Sequence, residues 1–376
     1  MGIRVKRIGP WLLALVLALA AVGALPSRSA GGPGLPATAE WAWIVVRDPD
    51  TDQAKPTGVG SGNSTDGINY VDYQATGVYV LTLSGVGAAQ GNVLVSPLGP
   101  DPRICAPASW ATTTGDELVE VRCFTRTGAP ANATFVLNWL TASGTGGRLA
   151  YALDFSPTSN CGTPNHQYDS MGGTIATCPA TYDTARYKIP SLGSARGTVQ
   201  VTPNAHRAID ADLSAGICDL VGFYGQIQPD TYISDEWIDV KCFETNGTAQ
   251  IYRENEAWFM QGLGMKGVDR TNVAYLLADK PGTSSYTPDA DYSYSSEGGI
   301  NEVTRLGTGR YVVTLHRMPK GGSAQVTAYM GVPTAAPRHC VIASIAKSSA
   351  PATIGVRCFD LAGTLADSKF TLAYAR

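Results

Sequence analysis

Four residues that occur three times constrain this chain more than any other feature. They read Val121-Arg122-Cys123-Phe124, Val240-Lys241-Cys242-Phe243 and Val356-Arg357-Cys358-Phe359. Each copy has an earlier cysteine upstream and a glycine five residues after its own cysteine: Gly128, Gly247 and Gly363. A chain that repeats such a set is expected to fold as three related units rather than as one unrepeated core.

The first unit is read over residues 40–142. It opens with Trp41-Ala42-Trp43-Ile44-Val45-Val46, continues with Gly77-Val78-Tyr79-Val80-Leu81-Thr82-Leu83 and Gly91-Asn92-Val93-Leu94-Val95, and closes with Phe135-Val136-Leu137-Asn138-Trp139-Leu140. These are β-branched and aromatic runs bounded by turn residues, the signature of strands. The third unit, 267–376, repeats the order: Ala274-Tyr275 for Ala42-Trp43, Tyr311 for Tyr79, Arg338-His339-Cys340 for Arg103-Ile104-Cys105, and Phe370 to Tyr374 for the last strand. The second unit, 148–264, diverges. It keeps Ala150-Tyr151, Tyr187 and Gly216-Ile217-Cys218, but places 23 residues between its repeat cysteines where the others place 17, and adds Cys161 and Cys178. Glycine-rich joints at 144–147 and 262–264 mark the boundaries.

Strand alternation assigns faces. Val119, Val121 and Cys123 share one side of their strand, and Glu120, Arg122 and Phe124 the other, so the cysteine belongs to the buried face and the basic residue does not. The repeat selects one disulfide pattern out of 105 for eight cysteines: 105–123, 218–242 and 340–358, leaving 161–178. Each bond closes a short loop and contributes about 3 kcal/mol in the chain-entropy picture. The expectation is an all-β protein of three tandem antiparallel β-sandwiches, immunoglobulin-like or jelly-roll in topology.

The N-terminus reads as an export signal over residues 1–29. Arg4, Lys6 and Arg7 precede an uncharged run from Trp11 to Leu25, with Ser27 and Ser29 before a cleavage point; residues 30–39 read as a linker. An even cysteine count behind such a signal implies disulfides in a secreted, extracellular protein, with no membrane span once the signal is removed. Loss of residues 1–29 removes four of the 28 basic residues and none of the 31 acidic ones, taking the net charge from −3 to −7. That balance, without a dense basic run, argues against nucleic acid as a partner.

The spacing G-x-Y-x-V-x-L, G-x-V-x-V, C, V-R-C-F and F-x-L-x-Y resembles a tandem repeat of uncharacterised secreted proteins from actinomycetes and myxobacteria. The resemblance covers nearly the whole mature chain. It implies export and tandem β architecture and carries over no functional residue.

Catalytic signals are few. None of the four histidines (166, 206, 316, 339) falls in a nucleophile or metalloprotease motif. Glu254 and Glu256 are the sharpest enzymatic candidates, because carboxylates at i and i+2 on one strand stand about 7 Å apart, a separation that suits glycoside hydrolysis. That holds if the last strand is aligned without gaps. A gapped alignment sets Trp258-Phe259-Met260-Gln261 on Phe135-Val136-Leu137-Asn138 and leaves the glutamates in a hairpin; a helix over 249–261 is a third option. Asp48-x-Asp50-x-Asp52 starts like a calcium loop but lacks its glycine and distal glutamate, so neither metal nor cofactor is expected. Trp43, Trp110, Trp139 and Trp258 recur as aromatic or apolar residues across units and read as core, whereas Trp237 and the group Tyr286, Tyr292, Tyr294 do not. The reading preferred on sequence is a non-catalytic binding or surface protein with an extracellular ligand such as a polysaccharide, a cell surface or a protein. The alternative is a glycoside or peptide hydrolase with its site in the second unit.

Overall fold

The computed structural model describes residues 40–376, apart from 51–59, 89–90, 142–147, 155–160, 165, 170–171, 181–183, 194–196, 206–215, 227–233, 245–248, 251–254, 262–272 and 347–350. The signal, the linker and both glycine joints therefore lie outside the described residues. Residues 38–376 belong to one unit. Among the described residues the only helix is a 3-10 turn at Ala290–Tyr292, and no helix is long and apolar enough to cross a membrane.

The first segment supplies β1 (Trp41–Val46), β2 (Ser61–Asn63), β3 (Tyr70–Ala75), β4 (Val78–Leu83), β5 (Asn92–Leu98), β6 (Ile104–Thr112), β7 (Glu117–Phe124) and β8 (Thr134–Leu140). They pair in the orders β2-β1-β8-β5 and β3-β4-β7-β6. One apolar cluster joins the two sets, with Ile44, Val95, Phe135 and Leu137 from the first and Tyr79, Leu81, Val119, Val121 and Cys123 from the second. Both faces of this core come from the period-two alternation read in the sequence.

The second segment supplies β9 (Arg148–Asp154), β10 (His166–Asp169), β11 (Ala176–Ala180), β12 (Thr184–Gly193), β13 (Thr198–Pro203), β14 (Gly216–Gln226), β15 (Ser234–Glu244), β16 (Ala249–Gln250) and β17 (Asn255–Gln261). Their orders are β10-β9-β17-β13 and β11-β12-β15-β14. The third supplies β18 (Val273–Ala278), β19 (Ser285–Tyr286), β20 (Ser293–Ser295), β21 (Asn301–Gly307), β22 (Arg310–Leu315), β23 (Ser323–Tyr329), β24 (His339–Ile345), β25 (Ala352–Phe359) and β26 (Lys369–Ala375). These run β20-β18-β26-β23 and β19-β21-β22-β25-β24.

The four disulfides are 105–123, 161–178, 218–242 and 340–358, as read from the spacing. Three of them join residues directly opposite each other on neighbouring antiparallel strands: Cys105 to Cys123, Cys218 to Cys242 and Cys340 to Cys358. A glycine turn that packs against the motif cysteine also recurs. Gly77 and Gly309 adopt φ of +71° and +62°, and a Cβ there would lie 2.4 Å from the carbonyl oxygen of Cys123 or Cys358. Only glycine fits both demands. Each of these carbonyls of glycine accepts the N–H of the motif cysteine, at 2.8 and 2.9 Å. Tyr79 and Tyr311 each accept a backbone N–H, from Ala133 and Ser368, across the same corner.

The segments are not beads on a string. β5 pairs in parallel with β24, and β14 with β23, so two nine-stranded sheets each run through two segments. Three hydrogen bonds mark the seams. Gly99 N donates to Ile342 O at 2.8 Å, Met330 N to Leu220 O at 2.8 Å, and Ala205 N to Pro107 O at 2.7 Å. Every acceptor lies two residues after the first repeat cysteine of its segment (Cys340, Cys218, Cys105), and every donor lies seven residues after the start of β5, β23 or β13. The first segment thus meets the third, the third meets the second, and the second meets the first: a head-to-tail contact that closes on itself after three steps.

At the centre, Ser96, Thr202 and Thr327 hold the same place on β5, β13 and β23. Ser96 Oγ donates to Gln325 Oε1 at 2.7 Å and accepts Val326 N at 3.1 Å. Thr327 Oγ1 accepts Val201 N at 2.9 Å, and Thr202 Oγ1 donates to Val95 O at 3.1 Å. Each hydroxyl reaches into the next segment, so polar groups in otherwise apolar strands are paired where water is excluded. The basic residue of the motif also crosses a seam: Arg357 donates to Pro100 O at 3.1 Å and Lys241 to Pro333 O at 3.3 Å. Arg122 instead pairs with Glu120 at 2.7 Å.

Candidate functional site

Glu254 lies outside the described residues. Glu256 sits in β17, where it stands opposite Thr202 on one side and Leu153 on the other. The register settles the alignment of this strand, and it is neither of the two read from sequence. Tyr151 faces Trp258 as Trp43 faces Asn138 and Tyr275 faces Ala373. Asn255, Glu256 and Ala257 therefore take the places of Phe135, Val136 and Leu137, and Phe259 that of Trp139. The described residues of this stretch, 249–250 and 255–261, are strand rather than the helix considered over 249–261. One unanticipated residue between the motif and β17 accounts for the offset; periodicity alone cannot count residues through a hairpin.

The histidines do not gather. His166 contacts the Gly91 carbonyl and the rings of Tyr151 and Trp110, and burial lowers its pKa. His339 Nε2 lies 2.7 Å from Arg103 O, and burial lowers its pKa too. His316 lies 3.5 Å from Glu302, whose carboxyl is lowered by hydrogen bonds from Ser285 and His316. His206 and Asp52 lie outside the described residues, and Asp50 accepts a hydrogen bond from Asn132. No group of three or more metal-ligating side chains occurs among the described residues.

The unexplained aromatics are half-buried at separate places. Tyr294 stacks on Tyr275 at 5.4 Å, Tyr292 meets Phe223 edge-on at 5.6 Å, and the Tyr286 hydroxyl accepts Lys280 N at 3.2 Å. Trp237 is opposite Tyr224 on β15 and β14, with the Arg186 and Lys188 cations 5.7 and 5.6 Å from its ring centre. Those cations are in turn paired with Asp239 and Asp235.

Of the buried acids that the sequence reading did not single out, Asp219 and Glu117 have the most strongly raised carboxyls among the described residues. Asp219, fully buried beside Cys218, accepts Arg338 N at 2.8 Å through Oδ2, while Oδ1 has no partner among the described residues. Burial pushes its carboxyl up to about 8, so at neutral pH it is largely protonated. It lines a cavity of about 30 Å³ that Ser96, Cys105, Val201, Thr327 and His339 also border, room for about one water molecule. Glu117, fully buried in β7, accepts the Thr112 hydroxyl at 2.8 Å, and burial pushes it up to about 7. Alternation could have found it, because Glu117 has the parity of Val119, Val121 and Cys123.

A surface hollow of about 480 Å³ has a lining that includes Trp41, Trp43, Ser61, Asn63, Asp66 and Arg376. It arises where one segment departs from the other two. Tyr151 stands opposite Tyr168 on β10 and stacks on it at 5.6 Å; Tyr275 stands opposite Tyr294 on β20 and stacks at 5.4 Å. In the first segment the same register sets Trp43 opposite Gly62. The indole leans onto the glycine, where a Cβ would meet Trp43 Nε1 at 2.3 Å. One ring thus stands where the other segments stack two. Trp41 and Trp43 are 7% and 5% exposed, and neither indole N–H has an acceptor among the described residues.

The chain matches no known protein family, no curated protein and no solved structure.

Proposed function

We propose that this chain is a secreted, non-catalytic binding protein made of three tandem β-sandwich repeats closed into a ring, and that its ligand seat is the hollow over Trp41 and Trp43. The first segment, with eight strands in two sheets, has the size of a jelly-roll sandwich rather than that of a seven-stranded immunoglobulin domain. The resemblance to secreted actinomycete and myxobacterial repeat proteins points the same way. Four disulfides suit an extracellular setting, where a stable frame is needed without chaperones.

The observation that carries the binding reading is the broken equivalence at Gly62. The backbone seams recur three times over, while this place in the first segment exchanges the second ring of the other two segments for an open, mixed polar and aromatic hollow. Concave sites with aromatic floors and a few polar groups are where ligands seat. Incubating the mature protein with insoluble polysaccharides, peptidoglycan and intact cells tests the proposal, scoring both retention and released product. Retention without product is expected. Released product that disappears in Glu254→Gln or Glu256→Gln would replace this reading with a hydrolase in the second segment.

A further inference from the structure

We infer that the hollow over Trp41 and Trp43 takes a pyranose ring of an extracellular glycan; this rests on the binding reading above and names the ligand class for that site. The first ground is shape. Where Tyr151–Tyr168 and Tyr275–Tyr294 fill the space with two stacked rings, Trp43 and Gly62 supply one, and the volume left open is large enough for a sugar residue or two.

The second ground is the chemistry of the lining. The edges of two otherwise buried indoles supply a small apolar patch, and the rest of the lining is polar, which suits a ring with C–H faces and a rim of hydroxyls. Much of that polar rim is held in place from behind. Asn63 donates to Asn69 Oδ1 and Ser84 O, both at 2.8 Å, and its Oδ1 accepts from Thr65. Asn69 in turn donates to Ser61 Oγ at 2.9 Å and to Gly62 O at 3.0 Å. Ser61 accepts that bond, which leaves its hydroxyl proton to donate outward. Asp66, at φ 59°, is fixed by its N–H on Asn63 O at 3.2 Å and presents an exposed carboxylate. Arg376, from the third segment, is exposed and joins the lining.

The third ground is the pair of donors that the lining offers. Ser61 keeps a hydroxyl proton and Arg376 carries an exposed cationic side chain, and the ring and hydroxyl oxygens of a sugar accept from both. An apolar aromatic ligand offers neither of them an acceptor.

Soluble oligosaccharides of glucose, N-acetylglucosamine and galacturonate are the probes, with the full mature chain, its disulfides intact. Saturation-transfer NMR and tryptophan fluorescence report binding. The Trp43→Tyr/Gly62→Tyr double variant rebuilds the two-ring stack of the other segments and is expected to keep the fold while losing the sugar. Because that variant could disturb β1, Arg376→Ala and Ser61→Ala are measured beside it; each is expected to weaken binding by about tenfold, the scale of one lost hydrogen bond to a charged or well-placed group. A sugar that binds equally well to all three variants overturns the inference by placing its site elsewhere. Failure of every oligosaccharide to bind also overturns it. Retention on cells that no oligosaccharide competes away overturns the sugar but leaves the wider binding reading standing.

Discussion

Asp219 offers the sharpest test of how the ring is held together. Its carboxyl is fully buried at the seam between the second and third segments, hydrogen-bonded to Arg338 N, with the cavity and His339 beside it. Its pKa rises from 3.8 to about 8 on folding, through burial that outweighs the Arg338 N–H and charge. A raised carboxyl pKa means that the folded state keeps the proton longer than the unfolded chain. The stabilisation is complete below pH 3.8 and is lost as pH rises through about 8. At about 1.4 kcal/mol per pH unit, the whole span corresponds to roughly 6 kcal/mol as an upper bound, and the stretch from pH 5 to 8 to about 4 kcal/mol. Asp219→Asn keeps the shape and the acceptor for Arg338 N but removes the titration. Urea unfolding at pH 5, 6, 7 and 8 should therefore show the native protein losing stability relative to the variant as pH rises, with Asp219→Asn the more stable at pH 8. Glu117, raised from 4.5 to about 7, adds a similar fall in both proteins and cancels in the difference. A difference between the two proteins that stays constant from pH 5 to 8 would refute the reasoning.

Other substitutions probe the frame piece by piece. Tyr311→Phe removes a hydroxyl that accepts Ser368 N and donates toward Asp367 and Pro281 O, and should lower stability by about 1–2 kcal/mol in urea unfolding. Gly309→Ala forces a Cβ to within 2.4 Å of Cys358 O at a φ of +62°, so a loss of at least about 1 kcal/mol is expected, while Gly282→Ala, with open space around it, should change little. Arg357→Ala takes away the contact with Pro100 O; amide exchange of Gly99, at the same seam, should quicken, whereas that of Cys123, inside the first segment, should not. Joint replacement of Cys340 and Cys358 by alanine should cost about 3 kcal/mol by thermal or urea unfolding, the loop-entropy value for a closed stretch of this length.

Much of the architecture is legible in the sequence alone. The V-R-C-F strand carries its own face assignment, because valine and cysteine alternate with charge; burial of Val119, Val121 and Cys123 follows directly. Equal spacing in the first and third segments fixed the disulfides, which need only that the two cysteines stand opposite each other in neighbouring strands. The last strand of the second segment was not legible, since its register turns on one residue in a hairpin, and a slip of one residue exchanges the two faces of a strand. The same limit kept Glu254 and Glu256 ambiguous.

Closure of the ring was decided only in three dimensions. Its seams are made by the N–H groups of Gly99, Met330 and Ala205 and the carbonyls of Ile342, Leu220 and Pro107. Backbone groups are the same in every residue, so they leave no mark on the sequence that says which edge meets which. Ser96, Thr202 and Thr327 look, in the chain, like polar interruptions of apolar strands; their sense appears only when a neighbouring segment supplies the partner. The hollow over Trp43 is of the same kind. The sequence contains Gly62, Tyr168 and Tyr294, but only the strand register shows that they occupy one position, and that in the first segment the second ring is missing.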